Sequence, residues 1–231
     1  MELDVESGPS YAMAVIRLEP GESVIAEASS MVAMTPGLAV ESTIQGAHNA
    51  GLGEKVVAFF VALVRRWLAK ESMVVNVYRA TKPGQQLMLA PAMVGDVVRV
   101  TMDGTRTVTV QAGAFLASTP GIRQKLVWGG LTMLLSGEGA FFLECSGKGE
   151  LLFDAYGGLE EVAIDGRYVV DSGHVAAWEG KLTHTLRKAG SLGTAFLSGE
   201  GLVIELKGQG KVWMQTRSVG SLVSFVTPWF R

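Results

Sequence analysis

An all-β fold, made of duplicated antiparallel β-sandwich modules with one inserted amphipathic helix, is what this 231-residue sequence predicts. Three observations carry the prediction. Short apolar stretches alternate with turn residues, 29 Gly and 7 Pro among them, a density that favours short strands over long helices. Pieces of the stretch GEGAFFLECSGKGELLFDAYGGLEEVAIDGRYVVDSGHVAAW, residues 137–178, recur on both sides of it. One segment alone, residues 54–70, has apolar residues at convincing helical spacing.

Taken in order, residues 1–10 are acidic and polar and read as a loose leader, unlike a secretory or mitochondrial presequence. Residues 11–18, YAMAVIRL, form a first strand that runs into a turn at Pro20-Gly21-Glu22. Residues 23–34 continue as strand pieces broken at Ser29-Ser30, and Pro36-Gly37 marks the next turn. Residues 42–53, small and polar, form a loop. In the helix after that loop, Val56, Val57, Phe60, Val61, Val64, Trp67 and Leu68 share a face, with Arg65, Arg66 and Lys70 at the C-terminal end, where cations suit the dipole. Its apolar run is too short for a bilayer, which needs about 20 residues. It suits packing on the sheet or in a subunit interface, with a membrane surface as the other partner for residues 54–70.

Beyond the helix the repeat begins. KESMVVNVYRATKPGQQLMLAP from Lys70, GEGAFFLECSGKGELLFDAY from Gly137 and GEGLVIELKGQGKVWMQTRS from Gly199 align, each as an apolar strand, a Gly-containing turn and a second apolar strand. Thr132-x-x-Leu135-Ser136-Gly137-Glu138-Gly139 returns as Thr194-x-x-Leu197-Ser198-Gly199-Glu200-Gly201, an offset of 62 residues. The same offset relates Asp103-Gly104 to Asp165-Gly166, read as hairpin turns because both positions tolerate positive φ. The third copy closes on a short apolar tail, SVGSLVSFVTPWFR. The expected organisation is a leader (1–10), a first β module with the helical insert (11–115), and a second β region holding two repeat copies (116–231), packed as one unit.

Composition narrows the function classes. With 20 basic and 22 acidic residues and no basic block, DNA is not an expected partner and RNA is disfavoured, because phosphate binding relies on clustered Lys and Arg. The single cysteine, Cys145, excludes an intrachain disulfide and reads as a small buried hydrophobe. An apolar fraction of 48% with 18% charged residues implies strands buried on both faces or surface buried between subunits. A cytoplasmic location fits.

No catalytic, cofactor or metal site is expected, and no cofactor. His48, His174 and His184 lack ligand spacing. Asp171-Ser172-Gly173-His174 is the best polar cluster, and turn-flanking Asp and Ser usually cap backbone amides. Glu71, Glu138 and Glu200 recur at equivalent places, which marks architecture rather than acid-base chemistry. Ser136 and Ser198 have no Gly-x-Ser-x-Gly context, and the Gly pairs 147/149 and 208/210 join strands, so they form no dinucleotide fingerprint.

LEPGE (18–22), Met31-Val32-Ala33-Met34, AKESMVVNVY (69–78), LAPAMVGDV (89–97), VDSGHVAAW (170–178), SGEGL (198–202) and GKVWMQTR (210–217) together resemble the "altered inheritance of mitochondria" biogenesis family, over nearly residues 11–230. The resemblance implies a β-sandwich like that of the trp RNA-binding attenuation protein (TRAP-like), duplicated in the chain and assembled as a homotrimer, with no established catalytic activity. The insert before Glu71 is longer and more apolar than the family pattern. RNA binding does not transfer with the fold. The expectation is a non-enzymatic, homotrimeric scaffold or assembly protein. The alternative is a small-ligand-binding or enzymatic β-sandwich whose inter-module pocket holds His174 or Asp171. RNA binding by fold analogy is third.

Overall fold

The computed structural model describes residues 1–44, 74–128, 141–188 and 202–230. The expected helix at 54–70 lies outside them. The described chain is all-β apart from short helical turns and one helix: β1 (Glu2–Glu6), β2 (Met13–Leu18), β3 (Ser23–Glu27), β4 (Met31–Met34), β5 (Ala39–Ile44), β6 (Val74–Arg79), β7 (Gln85–Leu89), β8 (Gly95–Gln111), β9 (Phe115–Ser118), β10 (Ile122–Trp128), β11 (Phe141–Tyr156), β12 (Leu159–Asp171), β13 (Val175–Lys188), β14 (Leu202–Gln215) and α1 (Val219–Val226). All strand pairing within the two sheets is antiparallel, in the orders β1-β2-β7-β4 and β12-β14-β13-β8-β11-β9-β3-β6-β5, with β10 also on β11.

The pairing resolves into three equivalent units. Each has a central strand flanked by two others: β14 between β12 and β13, β11 between β8 and β9–β10, and β6–β7 between β2–β3 and β4–β5. The segments aligned from 70, 137 and 199 therefore close their units rather than open them. Successive units are joined the same way. Ala177 and Trp178 of β13 pair with Val110 and Thr109 of β8, and Ala117 and Ser118 of β9 pair with Ala26 and Ile25 of β3.

Asp103-Gly104 and Asp165-Gly166 do not reverse the chain. Each lies inside one long strand, β8 or β12, that keeps the same partner on both sides of it. Asp103 accepts from the Thr105 amide and hydroxyl, 2.8 and 2.7 Å, while Gly104 takes φ +97°. The result is a bend. Gly21 (φ +84°) and Gly166 (φ +112°) hold the same place in the other units. The glycines of β11 and β14 serve close approach: a Cβ on Gly147 would overlap the Gly121 carbonyl oxygen, and one on Gly208 that of Lys181.

Bending folds each unit over its own core, because residues from both halves of one strand meet in one cluster. Val100, Met102, Val108 and Val110 of β8 pack with Leu143, Cys145, Leu151 and Phe153 of β11. The other face of each later unit packs into the preceding core, as Val97, Leu116, Ala117 and Leu152 do into the first and Ala176, Ala177 and Trp213 do into the second. Leu151, Leu152 and Phe153 are accordingly all fully buried, which accounts for the uninterrupted apolar runs.

Three local expectations change. Residues 1–10 are no loose leader, since Glu2–Glu6 pairs along β2 and Leu3 enters the first core. Residues 42–44 belong to β5, where they pair with Asn76, Val75 and Val74. The apolar tail forms α1, capped by Ser218, whose hydroxyl accepts from the Ser221 amide at 3.2 Å.

Candidate functional site

The Asp171–His174 cluster joins β12 to β13 as a locked turn. Asp171 accepts from the Gly173 amide at 2.9 Å, and the buried Ser172 hydroxyl donates to the Leu202 carbonyl at 2.9 Å. His174 Nδ1 donates to the Gln215 carbonyl at 2.7 Å, which fixes its tautomer because a carbonyl only accepts. Gln215 then clamps two elements, donating to the Gly173 carbonyl at 2.8 Å and accepting from the Tyr156 amide at 2.9 Å. These bonds satisfy backbone groups at a unit junction, and they hold Asp171 and His174 to architecture. His184 is brought elsewhere, beside Trp178 and Phe142 with ring centroids 5.2 and 6.2 Å away. His48, Glu71, Glu138, Glu200, Ser136 and Ser198 lie outside the described residues.

Cys145 is buried, and burial pushes its thiol up to about 12, leaving it protonated and unreactive near neutral pH. Among the described residues, no three His, Cys, Asp or Glu side chains are grouped as metal ligands.

Ionic clusters that spacing did not reveal brace the sheet faces. Glu205, its side chain 6% exposed, meets Lys207 at 2.9 Å, Arg167 at 2.7 Å and Arg187 at 2.8 Å. The hydrogen bond from Lys207, followed by that from Arg167, holds its carboxyl below the usual range against the cost of burial. Its partners sit on three adjacent strands far apart in sequence, so only the register unites them. Glu179 likewise joins Arg106 at 3.2 Å across the unit 2–unit 3 seam and Lys211 at 3.5 Å within the third unit. These clusters contain no nucleophile placed beside a base.

The chemically distinctive surface is at two outer edge strands. Strand β4 is an edge of one sheet and β12 an edge of the other. Register makes Val32 of β4, skipped where its pairing shifts, the counterpart of Leu116 and Ala176, both 0% exposed, yet Val32 is 56% exposed. Tyr168 of β12 is the counterpart of Val24 and Val108, again both 0% exposed, yet it is 36% exposed. Met31 and Met34 flank Val32, and Val169 comes after Tyr168, each at least 40% exposed. Sequence hydropathy missed this surface, because these residues look like any core strand until register assigns their counterparts.

Fold and surface together define a class: a three-unit antiparallel β protein whose ionic clusters brace the sheet faces and whose two outer edge strands, β4 and β12, carry exposed apolar residues. A solved X-ray structure of a Streptococcus pyogenes protein shares the fold, with a TM-score of 0.78 at 23% identity over 99% of both chains. An uncharacterised Streptococcus pyogenes protein is 26% identical over 219 residues, 94% of this chain and 86% of that one. The family model described as "Mitochondrial biogenesis AIM24" matches residues 4–217, and the chain belongs to that family.

Proposed function

We propose that the protein is a non-enzymatic, homo-oligomeric scaffold that closes into a ring, with three copies as the ring size the family resemblance suggests. The observation that supports it is the pair of exposed positions, Val32 and Tyr168, whose counterparts inside the chain are wholly buried. Each later unit packs against the core of the one before it, and beside the buried third core the half-buried Val162, Leu182, Leu186 and Met214 are the surface that the first unit of another copy would cover. Strand β4 would continue the sheet at β12 as β9 does at β3 and β13 does at β8. The interface would be heterologous, one patch meeting a different one, and a heterologous contact either closes a ring or runs on as a filament.

Light scattering across a dilution series tests this. The expected mass is a small whole multiple of 24.5 kDa, three for the trimer, that falls on dilution. A protein that stays at 24.5 kDa at every concentration overturns the reading.

A further inference from the structure

The entries to the units are stacked side by side by backbone hydrogen bonds. Ala12 donates to the Gly95 carbonyl at 3.0 Å, Gly157 to Val94 at 2.8 Å, and Arg217 to Tyr156 at 3.2 Å, with Gly95 and Gly157 forming a parallel bridge. Tyr11, Gly95, Gly157 and Arg217 are therefore successive members of one ladder. Arg217 stands where a fourth unit would begin. Beyond it the chain runs into α1 and the turn Thr227–Phe230, a stretch with no charged residue.

This segment leaves much of its apolar surface in water. No residue of α1 is buried, and Val219, Val223, Phe225, Trp229 and Phe230 are 52, 54, 71, 78 and 84% exposed. Val219, Leu222, Val223 and Val226 keep the i, i+3, i+4, i+7 spacing of one face of α1, opposite Ser221 and Ser224. An apolar surface of this kind marks a contact.

The ladder indicates what covers it. If the ladder continues into another copy, the next member after Arg217 is that copy's Tyr11, 72% exposed here although its counterpart Gly95 is buried. We propose that residues 219–230 form an arm that docks on a second copy of this chain around its Tyr11, beside the β4–β12 contact, and latches the assembly. The inference rests on the ring reading. A lipid surface fits less well, because interfacial helices combine an apolar face with Lys or Arg on the polar one, and the polar face here carries serine.

The experiment pairs Tyr11→Cys with Phe230→Cys in one chain, Cys145 being buried, and oxidises it under native conditions. The expected products are disulfide-linked multimers, absent when Val32→Asp is added. A Phe225→Asp/Trp229→Asp chain, still folded, should dissociate at a concentration at least about tenfold higher. Deletion of 219–231 should do the same. Wild-type protein that assembles and is broken by Val32→Asp, yet gives no crosslink and no change on removing the arm, overturns the arm and leaves the ring standing. Wild-type protein that is monomeric throughout overturns both. Co-sedimentation with phosphatidylglycerol vesicles that requires Phe225 and Trp229, without any crosslink, overturns the arm in favour of lipid.

Discussion

Val32→Asp separates the edge's role in assembly from its role in folding. Burying a valine side chain completely is worth about 1.5–3 kcal/mol, and Val32 still has 56% of its surface to bury, so its contact supplies about 1–2 kcal/mol. A carboxylate in its place adds the cost of desolvating a group with no partner, at least about 2 kcal/mol. The total, about 3–4 kcal/mol per contact, weakens association on the order of 10²- to 10³-fold. Within the chain the substitution touches an exposed edge, so the denaturant midpoint should move by no more than about 1 kcal/mol. Leu116→Asp, at the equivalent place one unit later but wholly buried, should abolish folding. Sedimentation velocity across a dilution series, beside unfolding curves, reads both effects. Tyr168→Asp should dissociate the assembly from the other side. A mixture of the two variants retains one good pair of edges, from β12 of the Val32→Asp chain and β4 of the Tyr168→Asp chain, and should stop at two copies. If Val32→Asp keeps the wild-type mass and dilution behaviour, the counterpart argument is refuted.

Other outcomes turn on single residues. Gly147→Ala should cost about 2–4 kcal/mol, because its Cβ meets the Gly121 carbonyl at φ +116°, whereas Gly104→Ala, at φ +97° with open space, should cost about 1–2 kcal/mol; unfolding midpoints that fail to separate them would discount close approach. Cys145, its thiol pushed up to about 12 by burial, should be alkylated near neutral pH only at the rate of unfolding, and fast labelling of native protein would show that the second core opens. Burial first, and then the charge of Glu27, raises the Asp154 carboxyl well above its ordinary value. Its folded-state pKa thus exceeds the unfolded one, so its stabilising contribution is whole below the unfolded value and lost as pH rises through the folded value. Asp154→Asn should therefore gain stability on the wild type from mildly acid to mildly alkaline solution, and parallel unfolding midpoints would reject the raised pKa.

The all-β class and the repeat were legible because glycine marks backbone that no other residue adopts cheaply. Gly147 and Gly208 recur for one steric reason, and their spacing carries the repeat. The phase was not legible, since Asp-Gly gives the same local signal in a two-residue hairpin and in a bend; the long-range pairing of β8 with β11 decides between them. The first unit was harder still. Thr35-Pro36-Gly37-Leu38 matches Thr119-Pro120-Gly121-Ile122, but residues 45–73 put extra chain between that motif and β6, so the 62-residue offset fails there. Asp171 to His174 were located correctly as turn residues, while the Glu205 cluster depends on register across three strands, and composition carries no register.

One physical fact joins the composition to the proposed assembly. A bent three-stranded unit has a concave face that it fills itself and a back face that needs another unit beneath it. Stacking three units in one chain satisfies this twice, at the β9–β3 and β13–β8 seams, and among the described residues leaves exposed apolar positions on the two outer edges, Val32 on β4 and Tyr168 on β12. Adding further units within a chain would only move those edges apart, so a stack of this kind is completed by closure on itself or by copies of itself. In this chain Val32 and Tyr168 are both still exposed, and they are the apolar surface that the proposed ring would bury between copies.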